Sequence, residues 1–297
     1  MVSPFTRIPP ELVHRILNLA AAASRHSSLD ICLVASWARR IALPHLFHTI
    51  VIKDKESNSQ FNTFLLSPPH SPVDFTFPIA PFVTNIWMEC IHDLDCIIPV
   101  NELCDNVTHL ALYPLLFFWL LHITTPQSKE HTTEMKVSDH VFDRSHDLNL
   151  TLLAPMDSRA SLFAGSPLFH RITHICLATI KAYDTQQGFE LFSRLSHLSV
   201  PYRGVARHHP TALQGFLKLE SLQMLVVAII EEVVQEADLK ELEKWVREVR
   251  KTDGRVYLVG RHTANIQAEW ENEMRGEKCI WERAIQYTAT WEARAVA

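Results

Sequence analysis

The chain repeats one short pattern: an apolar residue, a polar pair, then apolar–x–apolar. It reads Val83-Thr-Asn-Ile86-Trp-Met88, Val107-Thr-His-Leu110-Ala-Leu112, Ile172-Thr-His-Ile175-Cys-Leu177, Leu195-Ser-His-Leu198-Ser-Val200 and Leu219-Glu-Ser-Leu222-Gln-Met224. The copies start 24, 65, 23 and 24 residues apart, and the long interval has room for another unit near Leu148 to Leu153. Apolar residues two apart line one face of a strand. A single strand with its return segment cannot bury that face, so successive units must stack side by side. An α/β domain of another topology produces similar strands and stands as the alternative.

Composition narrows the classes. The chain has 297 residues, enough for one or two domains. With 47% hydrophobic and 21% charged residues it is a packed globular protein rather than a disordered one. A formal charge of −5 provides no global basic balance to hold nucleic acid or an anionic membrane. The most apolar stretch, Leu110 to Leu121, contains Pro114 and falls well short of the ~20 residues that span a bilayer. It reads as a buried strand–helix pair. The N-terminus has no apolar run like a signal peptide, and the six Cys form no CxxC pair. Reduced thiols and a cytoplasmic or nuclear location are expected.

Three segments follow from the patterning. Residues 1–52 hold two helical runs, the first starting at Pro9-Pro10 and the second running from Leu29 to Ile41 and closed by Pro44, then a short strand from His48 to Ile52. Residues 53–230 hold the repeats, with a polar insertion near 124–147. Residues 231–297 are charge-rich. They hold an amphipathic helix over Asp238 to Lys251, a strand over Arg255 to Val259, a helix over Ala264 to Arg275 and a final helix carrying Ile280, Trp281 and Trp291. Their charges are read as a solvated face.

Residues 8–50 resemble an F-box through Ile8-Pro9-Pro10-Glu11-Leu12, Ile16-Leu17, Cys32-Leu33-Val34, Trp37 and the stretch Ala42 to Ile50. The rest resembles the variable leucine-rich-repeat-like region of fungal F-box-like proteins, through the Ile-Thr-His-Ile and Leu-Ser-His-Leu copies and the tail from Glu269 to Ala284. A period near 24 lies in the range of such repeats. Their usual Asn or Cys is replaced here by Ile91, Leu115, Ile180, Arg203 and Val227, so the array should be irregular. The expected fold class is therefore α/β: a small helical F-box-like segment, an irregular leucine-rich-repeat-like solenoid and a helical C-terminal cap. The resemblance implies a substrate-recognition adaptor of a cullin-RING ubiquitin ligase. A Skp-type adaptor would dock on Ile8, Pro9, Leu12, Ile16, Leu17, Leu33 and Trp37. Alternation points Asn85, Trp87, His109, Ala111, His174, Cys176, His197, Ser199, Ser221 and Gln223 to one side, and these are expected to form an open face for a protein target.

Other chemistry is weakly signposted. His109, His174 and His197 occupy one position in three copies and would lie on one face, read as a consensus or binding feature rather than a metal site. No GxGxxG, GxxxxGK[ST], GxSxG or HExxH motif is present, so no catalytic residue, cofactor or metal is assigned. An interaction scaffold without ligase coupling is the second reading, and a hydrolase or metal enzyme the third.

Overall fold

The computed structural model describes residues 8–66, 79–89, 104–125, 146–155, 158–179, 188–205, 209–262 and 266–296. Most of the expected insertion near 124–147 lies outside them. The chain opens with helices α1 (Pro10–Ala23), α2 (Arg25–Val34) and α3 (Ser36–Phe47). Proline suits the start of α1, because the first-turn N–H has no helical partner to lose. Ser24 ends α1 in an extended conformation, and its hydroxyl accepts the Ser27 N–H at 3.0 Å to cap α2. The second helical run is two helices, broken at the extended Ala35, and α3 continues past Pro44 to Phe47.

Eight strands follow: β1 (Thr49–Ile52), β2 (Asn85–Met88), β3 (His109–Leu112), β4 (Leu148–Leu152), β5 (Ile172–Leu177), β6 (His197–Tyr202), β7 (Met224–Ile230) and β8 (Val256–Arg261). They form one sheet, every pair parallel, in the order β1 to β8. Helix α4 (Lys55–Leu66) follows β1, α5 (Pro114–Thr124) follows β3, and α6 (Glu236–Arg250) precedes β8. Short 3-10 turns stand ahead of other strands, such as Pro167–His170 before β5 and Pro210–Lys218 before β7.

On one face, Ile86, Leu110, Leu150, Ile175, Leu198, Leu225 and Val256 join Phe117 and Leu121 of α5 and Leu242 and Val246 of α6 in a single core. On the other face lie α7 (Ile266–Met274) and α8 (Ile280–Val296). There Trp270 packs on Trp87 and Ala111, while Ile280 and Ala284 pack on Met224, Val226, Ala228 and Val259. Coverage on both faces explains why β7 reads Met-Leu-Val-Val-Ala-Ile-Ile with every residue buried, rather than alternating.

This architecture corrects the expected one. The chain is not a helical segment followed by a solenoid with an end cap. β1 from residues 1–52 and β8 from residues 231–297 belong to the same parallel sheet as the strands between them. The last two helices do not cap an end either; they lie across the face that an open array would leave bare. Spacing reports side-by-side strands but says nothing about what covers them, and that is where the expectation failed.

One side chain ties that layer to the sheet. Thr288 of α8 is 1% exposed; its hydroxyl accepts the Leu258 N–H at 2.8 Å and lies 3.3 Å from the Leu258 carbonyl. Thr288→Val leaves a buried strand amide without a partner, and should cost about 1–3 kcal/mol in chemical denaturation. Thr288→Ser should recover most of it.

Candidate functional site

The first candidate surface is the outside of α1–α3. The small core of this bundle is built from Ala21, Ile31, Ala38 and Ala42. Alanines let the helices approach closely, so the larger apolar side chains are left outside. Leu12 is 50% exposed, Ile16 57%, Leu33 82% and Trp37 49%. Ile8 and Pro9 are exposed as well, and Leu17 is half-buried. Ile8, Pro10, Val13, His14 and Trp37 line an open groove of about 680 Å³. Contiguous apolar exposure of this kind on a folded protein marks an interaction site.

The second candidate is a row of polar side chains at the strand starts. Register places Asn85, His109, Asn149, His174 and His197 side by side across β2 to β6. Each histidine follows a hydroxyl residue that holds its Nδ1: Thr108 at 3.0 Å from His109, Thr173 at 2.9 Å from His174, Ser196 at 2.8 Å from His197. The Ser196 hydroxyl donates to the Thr173 carbonyl at 3.1 Å, which leaves it accepting the His197 Nδ1–H. Thr108 repeats this arrangement on the Thr84 carbonyl at 3.5 Å. His109 then carries its proton on Nδ1, and its Nε2 accepts from Asn149 Nδ2 at 2.7 Å. Asn85 Nδ2 donates to His48 Nδ1 at 2.9 Å. The polar pair of the sequence pattern is this ladder.

Helices α7 and α8 roof the row and enclose a cavity of about 440 Å³ lined by His48, Asn85, His109, Asn149 and His174 below and Trp270, Glu273 and Trp281 above. The imidazoles of His174 and His197 stack 4.2 Å apart, and Trp281 lies 5.5 and 5.3 Å from them. The wall is held by charge. Arg261, 5% exposed, pairs with Glu269 at 3.1 Å and donates to Cys176 Sγ at 3.3 Å. Arg283 reaches Glu269 at 3.1 Å and Glu273 at 3.4 Å. Burial pushes the Glu273 carboxyl above its ordinary value, against the opposing pull of Arg283 and Arg261. Burial, with the neighbouring His48, lowers His109 to about 4. Burial, with His197 and His109, lowers His174 to about 4, against a small opposing pull from Asp147. Both rings are neutral at pH 7.

The structure brings the predicted histidines together but does not leave the expected target face open. Trp87 is 2% exposed beneath Trp270, 5.4 Å between rings, and its Nε1–H donates to Glu89 at 2.9 Å. Asn85 and Ala111 are buried. Ser199 is fully buried, and its hydroxyl has no partner among the described residues. His109, His174, Cys176, His197 and Ser221 are half-buried, and Gln223 alone of the set is exposed. The charges of 231–297 are not all a solvated face, since Arg261, Glu269, Glu273 and Arg283 form the network above. The readable signal was Arg261 itself, a cation ending the apolar strand Val256–Arg261, because a charge in such a strand needs a buried partner. Among the described residues, no group of three or more His, Cys, Asp or Glu is placed to hold a metal ion, and no helix is long and apolar enough to cross a membrane. No protein-family model matches the chain, and a search of curated proteins gives no match.

The depressed histidines set a pH dependence. A fold that prefers neutral imidazole has its full stability above the ordinary value of 6.5 and loses it as pH falls toward about 4. Denaturation midpoints should therefore drop between pH 6.5 and 4. His174→Asn, which places there the residue already standing at 85 and 149, should flatten that drop.

Proposed function

We propose that this protein is a substrate-recognition adaptor of a cullin-RING ubiquitin ligase. Helices α1–α3 dock a Skp-type adaptor subunit through Ile8, Pro9, Leu12, Ile16, Leu33 and Trp37, and Leu17 supports that surface from within. The body carries a target protein, and the chain acts by proximity, raising the concentration of target beside a conjugating enzyme. This places it in the cytoplasm or nucleus. No catalytic residue is assigned.

The observation that carries this reading is the inverted packing of α1–α3: alanines inside, with Leu12, Ile16, Leu33 and Trp37 outside. The described residues of the body leave that face exposed, free for a docking partner. The target surface must differ from the sheet face expected from alternation, because α7 and α8 lie over Trp87, Asn85 and Ser199.

The test is co-expression with a Skp-type adaptor followed by size-exclusion chromatography. Wild type should elute as a 1:1 complex, and a Leu12→Asp, Trp37→Ala variant should elute as a folded monomer. Leu33→Ala separates docking from folding. So exposed a residue should change the stability of the free chain by less than about 0.5 kcal/mol. Its loss from an interface centre should weaken the complex by about 2 kcal/mol, roughly 30-fold. A wild-type monomer that ignores the adaptor overturns the reading.

A further inference from the structure

The cavity roofed by α7 and α8 is lined by none of the docking residues. We infer that it is a binding site for an uncharged, flat, amino-substituted heterocycle of the aminopurine type, held between the Asn85–Asn149–His174 row and the indoles of Trp270 and Trp281.

Hydrogen-bond accounting gives the polarity of the ligand. Most donors of the row are already spent: both Asn85 Nδ2–H groups, on His48 and on Thr49 Oγ1 at 3.1 Å, and one of the two Asn149 Nδ2–H groups, on His109. What the row still offers among the described residues is the side-chain oxygens of Asn85 and Asn149, the second Asn149 N–H beside its oxygen, and the Nε2 of His174. A ligand must bring one ring acceptor for the Asn149 N–H, and N–H groups for the oxygens. An exocyclic amino group supplies two, in the plane of a ring.

Charge and shape exclude the rival classes. Arg261 and Glu273 belong to a network of two arginines and two glutamates, which leaves no net charge for an ion to neutralise. A cation would meet Arg261 as well as Glu273, each already paired. An anion would have to draw protons onto imidazoles held well below their ordinary value. A volume of about 440 Å³ lies in the range of small-molecule sites, and Trp270, Met274 and Trp281 provide apolar wall against which a ring can lie flat.

Two thiols that line the cavity, Cys176 and Cys279, act as built-in reporters. Adenosine is the probe, with N6,N6-dimethyladenosine and inorganic phosphate as controls. Alkylation of each thiol at pH 7.5 is followed by mass spectrometry of the peptides that carry it, with indole fluorescence alongside. Adenosine should protect both thiols saturably, with a Kd of roughly 0.1 mM, the weak affinity usual for a ligand of this size. The dimethyl analogue, which keeps the ring but loses both donors, should bind at least tenfold more weakly. His174→Asn should retain binding and His174→Leu should lose it. If the leucine variant fails to fold, the comparison of the two nucleosides on wild type decides alone. Absence of protection by adenosine overturns the proposal, and so does equal protection by both nucleosides. Protection by phosphate that tightens toward pH 5 overturns it in favour of an anion site.

Discussion

Parallel register governs this molecule. Because each strand pairs in step with the next in the chain, a residue type recurring at one position of the pattern becomes a continuous row across the sheet. The row that matters lies at the strand starts, where backbone carbonyls of one strand receive hydroxyls of the next. Those hydroxyls in turn fix the imidazoles that follow them. Hydrogen bonding across strands thus reaches from backbone to side chain, and a one-residue slip anywhere would turn the row into the apolar core.

The second constraint is the roof. Burying Trp87, Met224 and Val226 beneath α7 and α8 converts a sheet face into an interior, and the interior then needs its charges paired. Arg261, Glu269, Glu273 and Arg283 are that pairing. Only Arg261 of the four is buried, and desolvation offsets much of the attraction there, so the network is weak evidence for stability. It fixes where α7 and α8 sit, and so defines the shape of the cavity.

Much of the local structure was legible. The pattern of apolar spacing located β2, β3, β5 and β6, and the gap near Leu148 held β4. Alternation assigned Trp87 and His109 to the same side, as the register has them. The sequence did not reveal what lies over that side. Covering helices leave no mark in the strands beneath them except apolar residues at outward positions, and Trp87, Ala111, Val226 and Ala228 were such marks. The candidate site was half legible: the histidines stood out by repetition, while Trp270 and Trp281 came from helices that look like ordinary amphipathic surface until they are laid on the sheet.

Strand order also carries a consequence in time. Neighbours in the sheet are neighbours in the chain, so each strand can find its partner as soon as it is synthesised, and local pairing of this kind favours rapid growth. Trp87 and Trp270 are separated by more than 180 residues. On the ribosome the sheet can assemble strand by strand before α7 and α8, which follow the last strand, can cover its second face. A chain stopped early would present Trp87, Ala111, Met224 and Val226 to solvent as one sticky plane.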